Sequence, residues 1–146
     1  MEPYDRIVDH KLITDWFGGW PSFHDAEVLS MYLDRKPLEN APGPSLVVRL
    51  HAFEMTTEVD DRGYYALRKH AIITLEFGGV EAIALDDFNG QNVVWQLDLE
   101  ETMNQEGLPG LGVFLSSSFG VGCTFRCTLA RVKSVEPGNP SEGIPR

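Results

Sequence analysis

The sequence predicts a mostly β fold of the α+β kind: an antiparallel sheet, sandwich or partly open barrel of six to seven strands, with one short N-terminal helix. Three observations carry this. Apolar residues recur with helical spacing only as far as Phe17 and with a period near two from Asp25 to Val135. Glycine, proline, asparagine and aspartate interrupt the alternating part at short intervals. A chain of 146 residues that is 42% hydrophobic and 23% charged suits one domain with a core of its own.

The helix is read from Val8, Leu12 and Trp16, spaced four apart with Ile13 and Phe17 beside them. Asp9 is the expected N-cap and Gly18-Gly19 the stop. Trp20-Pro21-Ser22 then turns the chain. Strands are expected over Asp25 to Arg35, Ser45 to Thr57, Tyr64 to Phe77, Val80 to Phe88, Gln91 to Glu101, Val113 to Phe119 and Val121 to Val135. Residues 1–136 are expected to form the single globular domain, and 137–146, with three prolines and two glycines, a mobile tail.

Two hairpins follow from the turn chemistry. A Gly78-Gly79 turn pairs Phe77 with Val80, Leu75 with Ala82 and Ile73 with Ala84; an Asn89-Gly90 turn pairs Asp86 with Val93, Ala84 with Trp95 and Ala82 with Leu97. Small alanines then interleave with large residues on one face. The opposite face brings Glu76 against Glu81 and Glu81 against Asp98, with Glu100 two residues on. Like charges directly opposite cost up to about 1 kcal/mol each. Either a bulge breaks this register, or the carboxylate row is kept because something basic binds there.

The balance of 12 Lys+Arg against 22 Asp+Glu gives a net charge of −10, which disfavours nucleic acid and anionic membranes. The longest basic cluster is Arg68-Lys69-His70. Neither a long apolar run nor a signal-peptide start is present, so a cytoplasmic location is expected. Cys123 and Cys127 lie four residues apart in an alternating segment, which separates their Cα atoms by about 13 Å. That is too far for a disulfide, and both are read with Phe125 and Leu129 as core-facing.

Reactive side chains are densest at His24, Asp25 and Glu27. Histidine with two carboxylates suggests a metal site or acid/base chemistry, but strand periodicity from His24 puts the histidine on one face and both carboxylates on the other. The bland reading is a structural corner: Trp20 and Phe23 plug the core while His24 and Asp25 satisfy turn backbone. No nucleophile elbow, phosphate loop or dinucleotide fingerprint is present. No cofactor and no enzymatic activity are expected.

The run Trp20-Pro21-Ser22-Phe23-His24-Asp25-Ala26-Glu27-Val28, then Phe77-Gly78-Gly79-Val80, then Leu85-Asp86-Asp87-Phe88-Asn89-Gly90-Gln91-Asn92-Val93-Val94, resembles the Immunity protein 50 family. These are small, mostly β bacterial proteins of polymorphic toxin systems. The resemblance extends from about Leu12 to Val135. It implies cytoplasmic neutralisation of a toxin by direct binding, without catalysis, and an acidic chain suits a basic partner such as a nuclease domain. The motif positions Trp20, Pro21, Phe23, His24, Asp25, Glu27, Phe88, Asn89 and Asn92 are then expected to serve folding. Glu76, Glu81, Asp86, Asp87, Asp98 and Glu100 are the candidate toxin contacts. The competing readings are a small metal-dependent or acid/base enzyme at His24, Asp25 and Glu27, and a scaffold or sheet-edge homodimer.

Overall fold

The computed structural model describes residues 2–104 and 106–140. A 3-10 turn over Pro3–Arg6 and helix α1 (Lys11–Phe17) precede eight strands: β1 (Glu27–Asp34), β2 (Ser45–Val59), β3 (Tyr65–Gly78), β4 (Glu81–Asp86), β5 (Val93–Met103), β6 (Pro109–Phe119), β7 (Gly122–Cys127) and β8 (Leu129–Pro137). The seventh expected strand is two strands, broken at Thr128, which raises the count from seven to eight. Its cysteines are free and buried, as expected, while Leu129 falls in β8.

All eight strands join one antiparallel sheet in the order β4-β7-β6-β5-β1-β2-β3-β8. Alternation explains the core. Leu46, Val48 and Leu50 of β2, and Ile73, Leu75 and Phe77 of β3, face inward and are under 5% exposed. Across from them lie Leu111, Val113 and Leu115 of β6 with Cys123, Phe125 and Cys127 of β7. Phe77 and Phe125 meet edge to face at 4.9 Å, although β3 and β7 are far apart in the sheet order. The sheet therefore bends over on itself into two walls, β4-β7-β6-β5 and β1-β2-β3-β8. The walls are hydrogen-bonded at one narrow junction, Glu27 opposite Val93.

Both expected hairpins are absent. β3 pairs with β2 and β8, β4 pairs with β7, and β5 pairs with β6 and β1. Gly78-Gly79 is a crossing between walls. The Thr128 N–H donates to the Gly78 carbonyl at 3.0 Å and the Val80 N–H to the Pro44 carbonyl at 3.0 Å. A Cβ on Gly78 would stand 2.6 Å from the Ala41 Cβ, and Gly79, at φ +63°, would drive one into the Thr128 hydroxyl. The glycines are there for close backbone approach. Asn89-Gly90 likewise lies in a loop that carries the chain from the outer strand β4 across to β5. As a result Ala82, Ala84 and Trp95, expected in the core, are exposed.

The N-terminal segment also departs from expectation. His10 is the N-cap of α1, and Asp9 takes φ +62°. Ile13 is fully buried, whereas Val8 and Leu12 are about half exposed. Val8 leaves the helix and joins the rim of β8, its N–H donating to the Ala130 carbonyl and its carbonyl accepting from Val132, both at 2.9 Å. β2 and β3 extend beyond β1 and β8 as a two-stranded arm bearing exposed Met55, Val59, Tyr64, Tyr65 and Leu67. Pro137 ends β8 and the Gly138 N–H donates to the His70 carbonyl. The rest of the expected tail, 141–146, lies outside the described residues.

Candidate functional site

The carboxylate row does not form in the expected register. Glu76 is on β3, opposite Arg131 of β8, buried and bound through its Oε1 to Arg131 Nε and Nη2 at 3.0 and 2.8 Å. Glu81 stands opposite Arg126 of β7 and pairs with it at 3.2 Å. Neither is free to present its charge to a partner.

A different route still gathers most of the remaining carboxylates. Residues opposite one another in an antiparallel pair share a face. Asp98 faces Phe114, Phe114 faces Thr124 and Thr124 faces Ala84; Glu100 faces Gly112, Gly112 faces Arg126 and Arg126 faces Glu81. Asp86, two residues beyond Ala84, falls on the same face. The outer surface of the β4-β7-β6-β5 wall thus carries Asp86, Asp98 and Glu100, all exposed, around a part-exposed Phe114. Among the described residues none of the three has a Lys or Arg within ion-pair distance, and Arg126 is already held by Glu81. Asp87, at φ +56°, follows β4 in the crossing loop and is exposed.

The first and last motifs meet at the junction of the two walls. The Val28 N–H donates to the Asn92 carbonyl, Val94 to Ala26, and Asp25 to Val94, at 2.8, 2.8 and 2.9 Å. Phe23 and Asp25 take φ +60° and +68°, so regular strand starts only at Glu27. That irregularity overturns the opposite-face expectation: His24 Nε2 lies 3.6 Å from Asp25 Oδ1. His24 Nδ1–H donates to the Trp95 carbonyl at 3.0 Å, which sets the tautomer, and its ring meets Trp95 edge-on at 4.9 Å. Glu27 joins neither contact. Among the described residues no three His, Cys, Asp or Glu side chains converge as a metal site would require.

Asn92 ties the junction to the rest of the wall. Its side chain is buried; Oδ1 accepts from the N–H groups of Asn89 and Val121 at 3.0 and 3.1 Å, and Nδ2 donates to the Asn89 carbonyl at 2.8 Å. Gly120 has no side chain because one would meet Asn92 Oδ1 at 2.6 Å. Asn89 itself is exposed, accepting from Gln91 N–H and donating to the Asp87 carbonyl. Phe23 is buried, Trp20 and Pro21 are part-buried, and Phe88 is 46% exposed.

Where β5 diverges from β1, a cleft of about 450 Å³ opens between β5 and the 3-10 turn, walled by Tyr4, Trp20, Leu97 and Leu99. Exposed Glu2 and Asp98 supply carboxylates. Tyr4 meets Trp20 edge to face at 4.8 Å, and Trp20 meets Phe23 at 5.5 Å. Residues 2–5 carried no periodic or motif signal, so the pairing of Tyr4 with Trp20 was invisible in the sequence.

Two other groups of titratable side chains serve packing. Burial, aided by the Asp86 charge, pushes the Cys123 thiol up to about 11, and burial pushes Cys127 up to about 12. Both stay protonated and inert near neutrality. Buried His51 bonds His70 through Nε2 and Nδ1 at 3.0 Å, and burial and then the His70 charge lower its pKa. No helix is long and apolar enough to cross a membrane among the described residues. No curated protein and no solved structure shows significant similarity to the chain. Residues 9–138 match the Immunity protein 50 family, and since this span includes both walls of the sheet and the junction between them, the chain belongs to that family.

Proposed function

We propose that this protein neutralises a bacterial toxin by direct, non-catalytic contact in the cytoplasm, and that the outer face of the β4-β7-β6-β5 wall is the contact surface. Family membership supports the immunity role. One observation supports the face: Asp86, Asp98 and Glu100 share it, exposed and unneutralised, with its only nearby cation, among the described residues, engaged by Glu81. Such a surface steers a basic partner, a nuclease domain being one kind, and keeps nucleic acid away. Phe114 supplies an apolar centre ringed by charge, the anatomy of a protein interface.

The test is a double charge reversal, Asp86→Lys with Glu100→Lys, at exposed positions that tolerate it. Association with a cognate toxin domain, recovered by co-purification, is followed by stopped flow at two ionic strengths. The variant should associate about tenfold or more slowly at low salt and show a shallower salt dependence. Unchanged rates at both salt concentrations would remove this face from consideration.

A further inference from the structure

We propose that the cleft between β5 and the 3-10 turn receives an arginine side chain of a basic protein partner. The proposal rests on the toxin-binding reading above and adds a specific subsite to it. The walls fit the parts of that side chain separately. Leu97 and Leu99 offer an apolar surface for the three-carbon stem, Trp20 and Tyr4 offer aromatic rings to a weakly hydrated planar cation, and Asp98 and Glu2 offer carboxylates to its N–H donors. Beyond Val94 no strand pairs with this edge of β5 among the described residues, which leaves the cleft open to an entering side chain.

The protein's own cation does not fill the place. Arg6, on the same 3-10 turn, is held by Glu101 at 2.8 Å, and the cleft keeps its negative charge. Arginine fits better than lysine because its flat, delocalised charge stacks on rings and pairs with carboxylates at once, whereas an ammonium is a compact, strongly hydrated point. Asp98 is shared by the cleft and the acidic outer face, so one partner can engage both.

The probe is the peptide acetyl-Gly-Arg-Gly-amide, titrated into the 15N-labelled protein, with citrulline and lysine versions for comparison. Saturable shifts are expected at the Trp20 indole N–H and the amides of Leu97, Asp98 and Leu99, with a Kd on the order of 1 mM for so small a ligand. The citrulline peptide should give none and the lysine peptide weaker binding. Asp98→Asn should weaken binding about fivefold, whereas Glu58→Gln, a charge lost on the β2–β3 arm, should not. Absence of saturable shifts at these amides, or an equal response to citrulline, overturns the proposal.

A second arm uses the co-purified cognate toxin domain. If the toxin binds Asp98→Asn and Tyr4→Ala as tightly as the native protein, the cleft assignment fails and the immunity reading stands. If the peptide binds as described and no toxin co-purifies, the immunity reading fails and the cleft stands. An approximately tenfold loss of toxin affinity in both variants supports the assignment.

Discussion

Replacing Asn92 by alanine separates folding from binding at the most heavily bonded motif position. The substitution deletes two accepted bonds and one donated bond. They are not equivalent. Val121 is fully buried, so its N–H loses its acceptor with no solvent to replace it, at about 1–3 kcal/mol. Asn89 is exposed, and its N–H and carbonyl can turn to water, so those two bonds together contribute about 1 kcal/mol net. The sum is about 2–4 kcal/mol, or a fall in melting temperature of about 6–12 °C for a domain of this size. Urea unfolding measures it, with an unchanged slope showing that the midpoint shift is a stability change. Asn89→Ala is the contrast: it removes two bonds from an exposed loop and should cost under about 1 kcal/mol. Toxin binding well below the melting temperature should be untouched in both. A loss under about 1 kcal/mol for Asn92→Ala, or equal losses for the two variants, would refute the assignment of Asn92 as a buried tie.

Two further outcomes follow from buried charge. Arg131→Ala strands the Glu76 carboxylate, which is only 8% exposed, and should cost about 2–3 kcal/mol in urea, with Glu76→Gln milder because it leaves no buried anion. Equal losses in the two variants would count against that account. Stability should also decline with acidity: folding holds His51 below its ordinary 6.5, so as pH falls through 6.5 the unfolded chain takes up a proton the folded protein resists. Its contribution is full above pH 6.5 and is lost progressively below it. Urea midpoints should be lower at pH 5.5 than at 7.5, and His51→Gln should narrow the gap; a native protein with equal midpoints would contradict the sign.

Local chemistry made the strands legible and their partners illegible. The alternation of Ile73, Leu75 and Phe77 places β3 in the core whichever strand lies beside it, and the inward faces of β2, β3 and β7 follow from the same rule. Gly78-Gly79 and Asn89-Gly90 have the composition of tight turns, but composition does not report which strands the turn joins. Gly79 serves a close pass by Thr128, a contact between residues about fifty positions apart in sequence. The same limit applied at His24. Two left-handed residues, Phe23 and Asp25, delay the strand, and no period-two argument anticipates a positive φ at a non-glycine residue. The acidic row was expected from a register the protein does not have: Glu76 belongs to the other wall and Glu81 is held by Arg126, so the charge was legible and its location was not.

The bent sheet divides the labour between the junction and the wall. Among the described residues, the backbone bonds that join β5 to the β1 side of the other wall run between residues 25–28 and 92–94, the segments where the first and last motifs lie. Beyond Val94, β5 is free of β1 among the described residues, and that divergence makes room for the cleft on one side while Asp86, Asp98 and Glu100 stay exposed on the outer face. A change at the junction therefore shifts both surfaces together through stability, whereas a change at Asp86, Glu100 or Tyr4 acts on one surface alone. Double-mutant cycles express the distinction. Glu100→Lys combined with Tyr4→Ala should be additive in toxin affinity, because the residues serve separate contacts. Asp98→Asn combined with Tyr4→Ala should lose less than the sum of its parts, because both remove the same arginine contact. Additivity in both cycles would mean that Asp98 belongs to the outer face only.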